Sequence, residues 1–313
     1  MIATLRIALV SVIIFTCSCI NAFAGAAASI SFQYSESLIF VRIKVNNKSG
    51  LLFLMDTGAN LSVLDKNTAT LLKIPVLQHD TVIGTAGKEP IDLLNVKSLS
   101  VANVSFSNMR ITRRDLSKFI TLNGKKLDGI IGMDVLKDLA IIVDFRTKKI
   151  SFSKKRIKAG NCATIPFEMH ENTPLFEVRF NDTFNTYLHY NSGVSIEPSK
   201  EIYVNVSPSQ WYELKRINKA LTPHKYLVGN GVGGNVYLQV IKINKLNFQG
   251  LLIHEPSIIV QPEEGYFQQK EAIGFFGNNL FEKCRKVTID FISKQIIVNT
   301  IRKTGKLQTL AQK

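Results

Sequence analysis

Asp56 sits between two hydrophobic runs, in Leu54-Met55-Asp56-Thr57-Gly58-Ala59 with Leu61, Val63 and Leu64 just beyond. A carboxylate in such surroundings costs free energy unless partners hold it or chemistry uses it. An offset of 135 residues carries Asp56-Thr57-Gly58 onto Asn191-Ser192-Gly193 without a gap. Two carboxylates on facing loops can hold one water and share one proton, because like charges a few ångströms apart do not both ionise. The ionised one takes a proton from water and the protonated one donates to a carbonyl. In this chain the second position is an amide, which donates a hydrogen bond but exchanges no proton near neutral pH. Other chemistries find less support. His79, His170, His189, His224 and His254 are dispersed, and neither His170-Glu171 nor His254-Glu255 has the second histidine of HExxH. There is no GxSxG, no CxxC and no Cys/His cluster, so neither metal nor cofactor is expected. Gly229, Gly231 and Gly234 spell GxGxxG, yet residues 235–243 read as a strand where a dinucleotide site needs a helix.

The elements that must position these residues repeat as well. Residues 30–45 match 165–180 at the same offset, with Ile30 on Ile165, Phe32 on Phe167 and Ile43 on Val178. Residues 127–152 match 272–298, where Gly132 meets Gly277 and Val143-Asp144-Phe145 meets Ile289-Asp290-Phe291. The offset drifts from 135 to about 145, so about ten residues are inserted in the second half. The expected place is 208–221, where Trp211, Leu214, Ile217 and Leu221 recur at helical spacing behind Ser207-Pro208. Elsewhere the pattern alternates in short runs, as in Phe40 to Val45 and Val236 to Val240, and reads as strands. Asp134 and Asn278 or Asn279 are expected to cap short helical pieces after Gly132 and Gly277. Asp144 and Asp290, set among apolar residues, read as structural partners. Each half also carries a glycine-bearing hairpin tip, one with Gly84 and Thr85, the other with Gly229 and Gly231. Two mostly β lobes follow, 25–158 and 159–300, with Lys154 to Asn161 as linker and 301–313 as a basic tail.

Apolar-apolar-Asp56-Thr57-Gly58-Ala59, then Gly129-Ile130-Ile131-Gly132, then Asp144-Phe145, all echoed in the second half, form an ordered set. With it the sequence resembles the aspartic peptidase superfamily, in particular bacterial secreted members with retropepsin-like lobes in tandem. The resemblance covers nearly all of the mature chain, strongly in the first lobe and weakly in the second. It implies an all-β, bilobal pepsin/retropepsin-like acid-protease barrel fold. It also implies an endopeptidase whose water is activated by Asp56, and a peptide or protein substrate held under two flaps. Thr57 would then bond the opposite loop through its hydroxyl, and Gly58 would let the backbone approach the carboxylate. Ala59 resembles the retroviral type. Three departures stand out: no flap tyrosine, Met133 where the retroviral pattern has arginine, and Asn191 in place of the second aspartate. Three readings stay open. Two copies could pair their Asp56 residues; an inactive pseudo-peptidase could bind peptides or a partner in the cleft; or Asp56, aided by Asn191, could support slow hydrolysis. Ser192 and Gly193 keep the hydroxyl and the tight approach in all three.

The chain's 313 residues suffice for two small lobes, and with 45% hydrophobic and 20% charged residues it reads as globular. Residues 1–24 read as a secretory signal peptide: Arg6, an apolar run from Ile7 to Ile20, and Ala22-Phe23-Ala24 for cleavage. That run falls short of the roughly 20 residues of a membrane span, and Cys17 and Cys19 fit a lipoprotein signal poorly. Export to the periplasm or beyond is therefore expected. In that compartment Cys162 and Cys284 are disulfide candidates, with two free thiols as the alternative. The net charge of +15 is spread along the chain. Such spreading suits a solvated basic surface able to adhere to an anionic envelope, and argues against nucleic acid as partner. Two lobes that face each other within one chain favour a monomer over a homodimer.

Overall fold

The computed structural model describes residues 28–117, 119, 122, 124–195, 201–282 and 284–299. The expected signal peptide 1–24 and the tail 301–313 lie outside the described residues. Strands dominate, gathered into three sheets. An eight-stranded sheet belongs to the first half and a ten-stranded sheet to the second. The third, six-stranded, takes three strands from each half. At its centre Ala140–Asp144 pairs antiparallel with Lys286–Asp290, its counterpart in the sequence repeat. The fold is all-β and bilobal, and the shared sheet ties the lobes together.

Burial on both faces explains why the approach to Asp56 is almost wholly apolar. Along Lys48–Met55, Leu51, Phe53 and Met55 face the main core. Leu52 and Leu54 face a second cluster with Leu38, Phe40, Leu116 and Leu127. Leu38–Val45 divides its side chains in the same way, and it also pairs with Gly87–Val101, curling the sheet toward a barrel. In the second lobe the core is aromatic: Phe248 meets Phe276 edge-on at 4.8 Å, and Phe276 also packs on Phe176 and Tyr190.

Helices are few and short. Lys66–Leu71 is capped by Asp65, whose carboxylate accepts from the N–H groups of Asn67 and Thr68. Pro208–Ile217 begins where Ser207-Pro208 suggested, with a full capping box between Ser207 and Gln210. It stops short of 221 because Asn218 turns extended. Leu221 still reaches the core through a turn, its N–H bonded to the Asn218 carbonyl at 3.3 Å.

Two expectations need correction. Asp134, Asn278 and Asn279 cap nothing: Gly132 and Gly277 hold the cap positions with no side-chain bond. Their side chains are drawn into tertiary contacts instead, Asp134 to Ser62 and Asn278 to the carbonyls of Ser37 and Ser192. Cys162 and Cys284 are free thiols, not a disulfide. Cys284 is sealed in the core, where burial pushes its thiol up to about 11, while Cys162 sits half-buried on the turn before Ala163–Pro166. An even cysteine count carries no information about the close approach a disulfide needs.

Candidate active site

Asp56 and Asn191 are delivered by the same device used twice. Lys48–Met55 runs parallel to Gly129–Ile131, and the Asp56 N–H then donates to the Ile131 carbonyl at 3.0 Å. Phe184–Tyr190 runs parallel to Phe275–Phe276, and the Asn191 N–H donates to the Phe276 carbonyl at 2.9 Å. Behind the first loop, Met133 N–H bonds the Ala59 carbonyl at 2.8 Å. Ser62 Oγ accepts from Gly132 N–H at 3.0 Å and donates to Asp134 Oδ1 at 2.7 Å. These bonds fix the turn from behind, so its geometry does not depend on a ligand.

The loops then grip each other. Thr57 N–H donates to Ser192 Oγ at 3.0 Å, and Ser192 N–H donates to Thr57 Oγ1 at 2.9 Å. Each hydroxyl passes its own proton across the interface, Thr57 to the Tyr190 carbonyl at 2.7 Å and Ser192 to the Met55 carbonyl at 2.9 Å. Both residues are fully buried. The exchange is reciprocal and lies within one chain.

Above the grip, carboxyl and amide face each other. Asp56 Oδ1 accepts from Gly58 N–H at 2.8 Å, and Asn191 Oδ1 accepts from Gly193 N–H at 2.9 Å. A Cβ on Gly193 would overlap the Asp56 carboxyl, and one on Gly58 would overlap the Asn191 amide, nearest its Nδ2. Only glycine lets both side chains into this space. Because the Asn191 oxygen is committed to Gly193, its Nδ2 is the atom directed at the opposite loop. Burial raises the Asp56 pKa above the ordinary carboxylate value; N–H groups of Gly58, Gly193 and Ala59 and the charge of Arg114 pull the other way. The pair can therefore offer one titratable carboxyl and one fixed donor.

The glycine hairpins form a roof. Val76–Gly84 and Gly87–Val101 close on a tip at Thr85 and Ala86, and Lys225–Gly231 and Gly234–Lys242 on a tip at Val232 and Gly233. Gly84, Thr85 and Gly231 lie at the meeting of the two tips, where Ala86 N–H donates to the Val232 carbonyl at 2.9 Å. Gly229 sits farther down its strand, under Leu238. A 3₁₀ turn, Gly265–Gln268, touches the first tip from the second lobe, and a Cβ on Gly265 would strike the backbone of Gly84, Thr85 and Gly87.

Arg114 and Glu89 belong to the site although sequence reasoning passed over them. Glu89, on the strand descending from the first tip, pairs with Arg114 at 2.6 Å. Arg114 is 9% exposed and lies 5.0 Å over the Phe119 ring. A doubled arginine ending a long strand, Arg113-Arg114, was the available signal. No local pattern says which carboxylate it meets.

Residues 41–135 match the family model described as "Aspartyl protease", a segment holding Asp56, Thr57, Gly58, Ala59 and the Gly129–Ile131 strand. No curated protein matches the chain. Among solved structures, the aspartic proteinase from Irpex lacteus is similar over 90% of this chain and 99% of that chain, with a TM-score of 0.52 and 11% sequence identity. At that identity the likeness is one of fold, and the fold is that of a bilobal aspartic proteinase.

Proposed function

We propose that this chain is an aspartic-type endopeptidase that hydrolyses extended peptides slowly, with Asp56 as its one titratable catalytic group. The orientation of the Asn191 amide carries the reading. Its Nδ2 is aimed at the Asp56 loop, where it can donate to a substrate carbonyl as negative charge develops there. Asp56, ionised, takes a proton from a water held between the two side chains. It then returns that proton to the departing amine, so one carboxyl serves as base and then as acid. The substrate strand lies beneath the hairpin tips, with Gly84, Thr85, Gly229 and Gly231 as flap residues, and pairs in the manner of a β-strand. The Thr57–Ser192 grip occupies the surface a second copy would need, which favours a monomer over a dimer with two Asp56 residues. Export with cleavage after Ala24 belongs to the same reading, and N-terminal sequencing of protein recovered outside the cytoplasm checks it.

A second reading is a pseudo-peptidase that binds peptides without cutting them, favoured by Asn191 itself and by the tip-to-tip bond over the cleft. A peptide-library digest separates the two. The expected result is weak cleavage by the wild type, none by Asp56→Asn, and a gain on the order of 10²–10⁴-fold for Asn191→Asp. Silence from both wild type and Asn191→Asp across about pH 3 to 7 would sink the enzymatic reading. Peptide binding retained by Asp56→Asn would then establish the other.

A further inference from the structure

At the far end of the first lobe, the same strand that delivers Asp56 begins beside a cavity of about 530 Å³. Lys48–Met55 spans eight residues, so this cavity lies about 23 Å from the catalytic loop at roughly 3.3 Å per residue. Lys48, Lys73 and Lys97 line it, with no carboxylate among the lining residues. Among the described residues, none of the three lysines takes part in an ion pair. Asn47 and Asn95 add amide donors, while Leu71, Leu72 and Pro75 supply an apolar wall. Leu71 is 69% exposed there, although it is aliphatic.

The local fold fixes the backbone from which Lys73 projects. The helix Lys66–Leu71 ends with Ile74 N–H bonded to the Ala69 carbonyl at 3.1 Å and Lys73 N–H to the Thr70 carbonyl at 3.0 Å. These two bonds occupy the carbonyls of Ala69 and Thr70, which leaves fewer free acceptors at the helix end to repel an anion. Lys73 itself holds a left-handed φ of 53°, where glycine is the usual residue, and its side chain joins the cavity wall.

We propose that this cavity binds an organic phosphate. The three lysines are exposed at the cavity and give it a local positive charge, which suits a ligand with about two negative charges, and a phosphate monoester carries about −1.5 to −2 near neutral pH. A bare phosphate would leave most of the space empty, since cavities of about 300–1,000 Å³ suit organic molecules. The apolar wall accepts the organic body. The same monoester comes from two sources, a soluble sugar phosphate or the head group of phosphatidic acid. This site is independent of what Asp56 does.

The test uses the intact mature protein. Glucose 6-phosphate is titrated calorimetrically, and flotation is measured with phosphatidylcholine vesicles with and without phosphatidic acid. Binding to the sugar phosphate, or to the phosphatidic acid vesicles alone, assigns the source. Either should weaken roughly a hundredfold in Lys48→Gln/Lys73→Gln/Lys97→Gln, three surface charges being removed. The control Lys155→Gln/Arg156→Gln/Lys158→Gln removes the same charge elsewhere and should change little. Absence of binding to both probes overturns the proposal. So does an equal loss in the two triple variants, which reports net charge alone, or full binding by the first of them.

Discussion

At the scale of single residues, Thr57 and Ser192 show how a repeat inherits an interface. Each donates its N–H to the other's hydroxyl oxygen and its own hydroxyl to a carbonyl across the interface, Tyr190 or Met55, making four bonds in a fully buried space. Thr57→Val keeps the shape but orphans Ser192 N–H and the Tyr190 carbonyl. At about 1–3 kcal/mol per orphaned group, the loss should be about 2–6 kcal/mol in a urea titration. Adding Ser192→Ala removes the other two bonds but should cost less than the sum of the two, because loops already released by the first change let water reach the remaining groups. His189, two residues before Asn191, makes a different prediction. It is 7% exposed, its Nδ1 has no partner, and its ring stacks on His170 at 5.5 Å. Burial first, then the neighbouring His170, lowers its pKa from 6.5 to about 4. The folded state therefore prefers it neutral, and the unfolded state binds the extra proton between those two values. Stability present above about pH 6.5 is lost as pH falls toward 4, by about 3 kcal/mol in all. Urea midpoints measured across that range should flatten in His189→Phe; an unchanged slope would assign the loss to other groups.

At the scale of elements, the first hairpin is more than a lid, because its descending strand is latched to the cleft wall by Glu89 and Arg114. Burial raises the Asp56 pKa while the charge of Arg114 draws it back down, and Glu89 neutralises part of that charge. Removing Glu89 should let Arg114 act more strongly, so Asp56 stays ionised to lower pH. Removing Arg114 should do the reverse. With one titratable group, the rate should rise with pH along a single limb rather than trace a bell. That limb should move to lower pH in Glu89→Gln and to higher pH in Arg114→Gln. Movement of both in one direction would break the link between flap and carboxyl. The paired loops were legible in the sequence because the repeat runs without a gap into Asp56 and Asn191, and register decides which side chains face each other, while each hairpin showed as glycines between alternating runs. The latch and the contact at Gly265 were not, since they join elements whose approach no local pattern encodes. Asp134 was misread for a related reason. Beside a short helix its type suggests a cap, but Ser62, brought in from 72 residues away, takes the carboxylate.

At the scale of the whole molecule, two lobes with similar sequences could behave as two folding units or as one. The shared sheet and the main core favour one. Ala140–Asp144 has a strand of its own lobe on one side and Lys286–Asp290 on the other, so separating the lobes would expose a paired edge. The main core likewise runs from Phe32 in the first half to Phe291 in the second. A cavity made in one lobe should then be felt in both. Phe248 is fully buried against Phe176, Phe276 and Phe281, all of the second lobe. Phe248→Ala should cost about 3–5 kcal/mol. If the lobes unfold as one, calorimetry keeps a single transition at lower temperature. Hydrogen exchange then speeds by the same factor at slow amides of the first lobe, such as those of Leu38–Val45. Independent lobes would instead give two transitions, with protection in the first lobe untouched. That second outcome would mean the four bonds of the grip hold the Asp56 and Asn191 loops together without support from the sheet, and the Thr57→Val variant should then release the lobes from each other rather than merely loosen them.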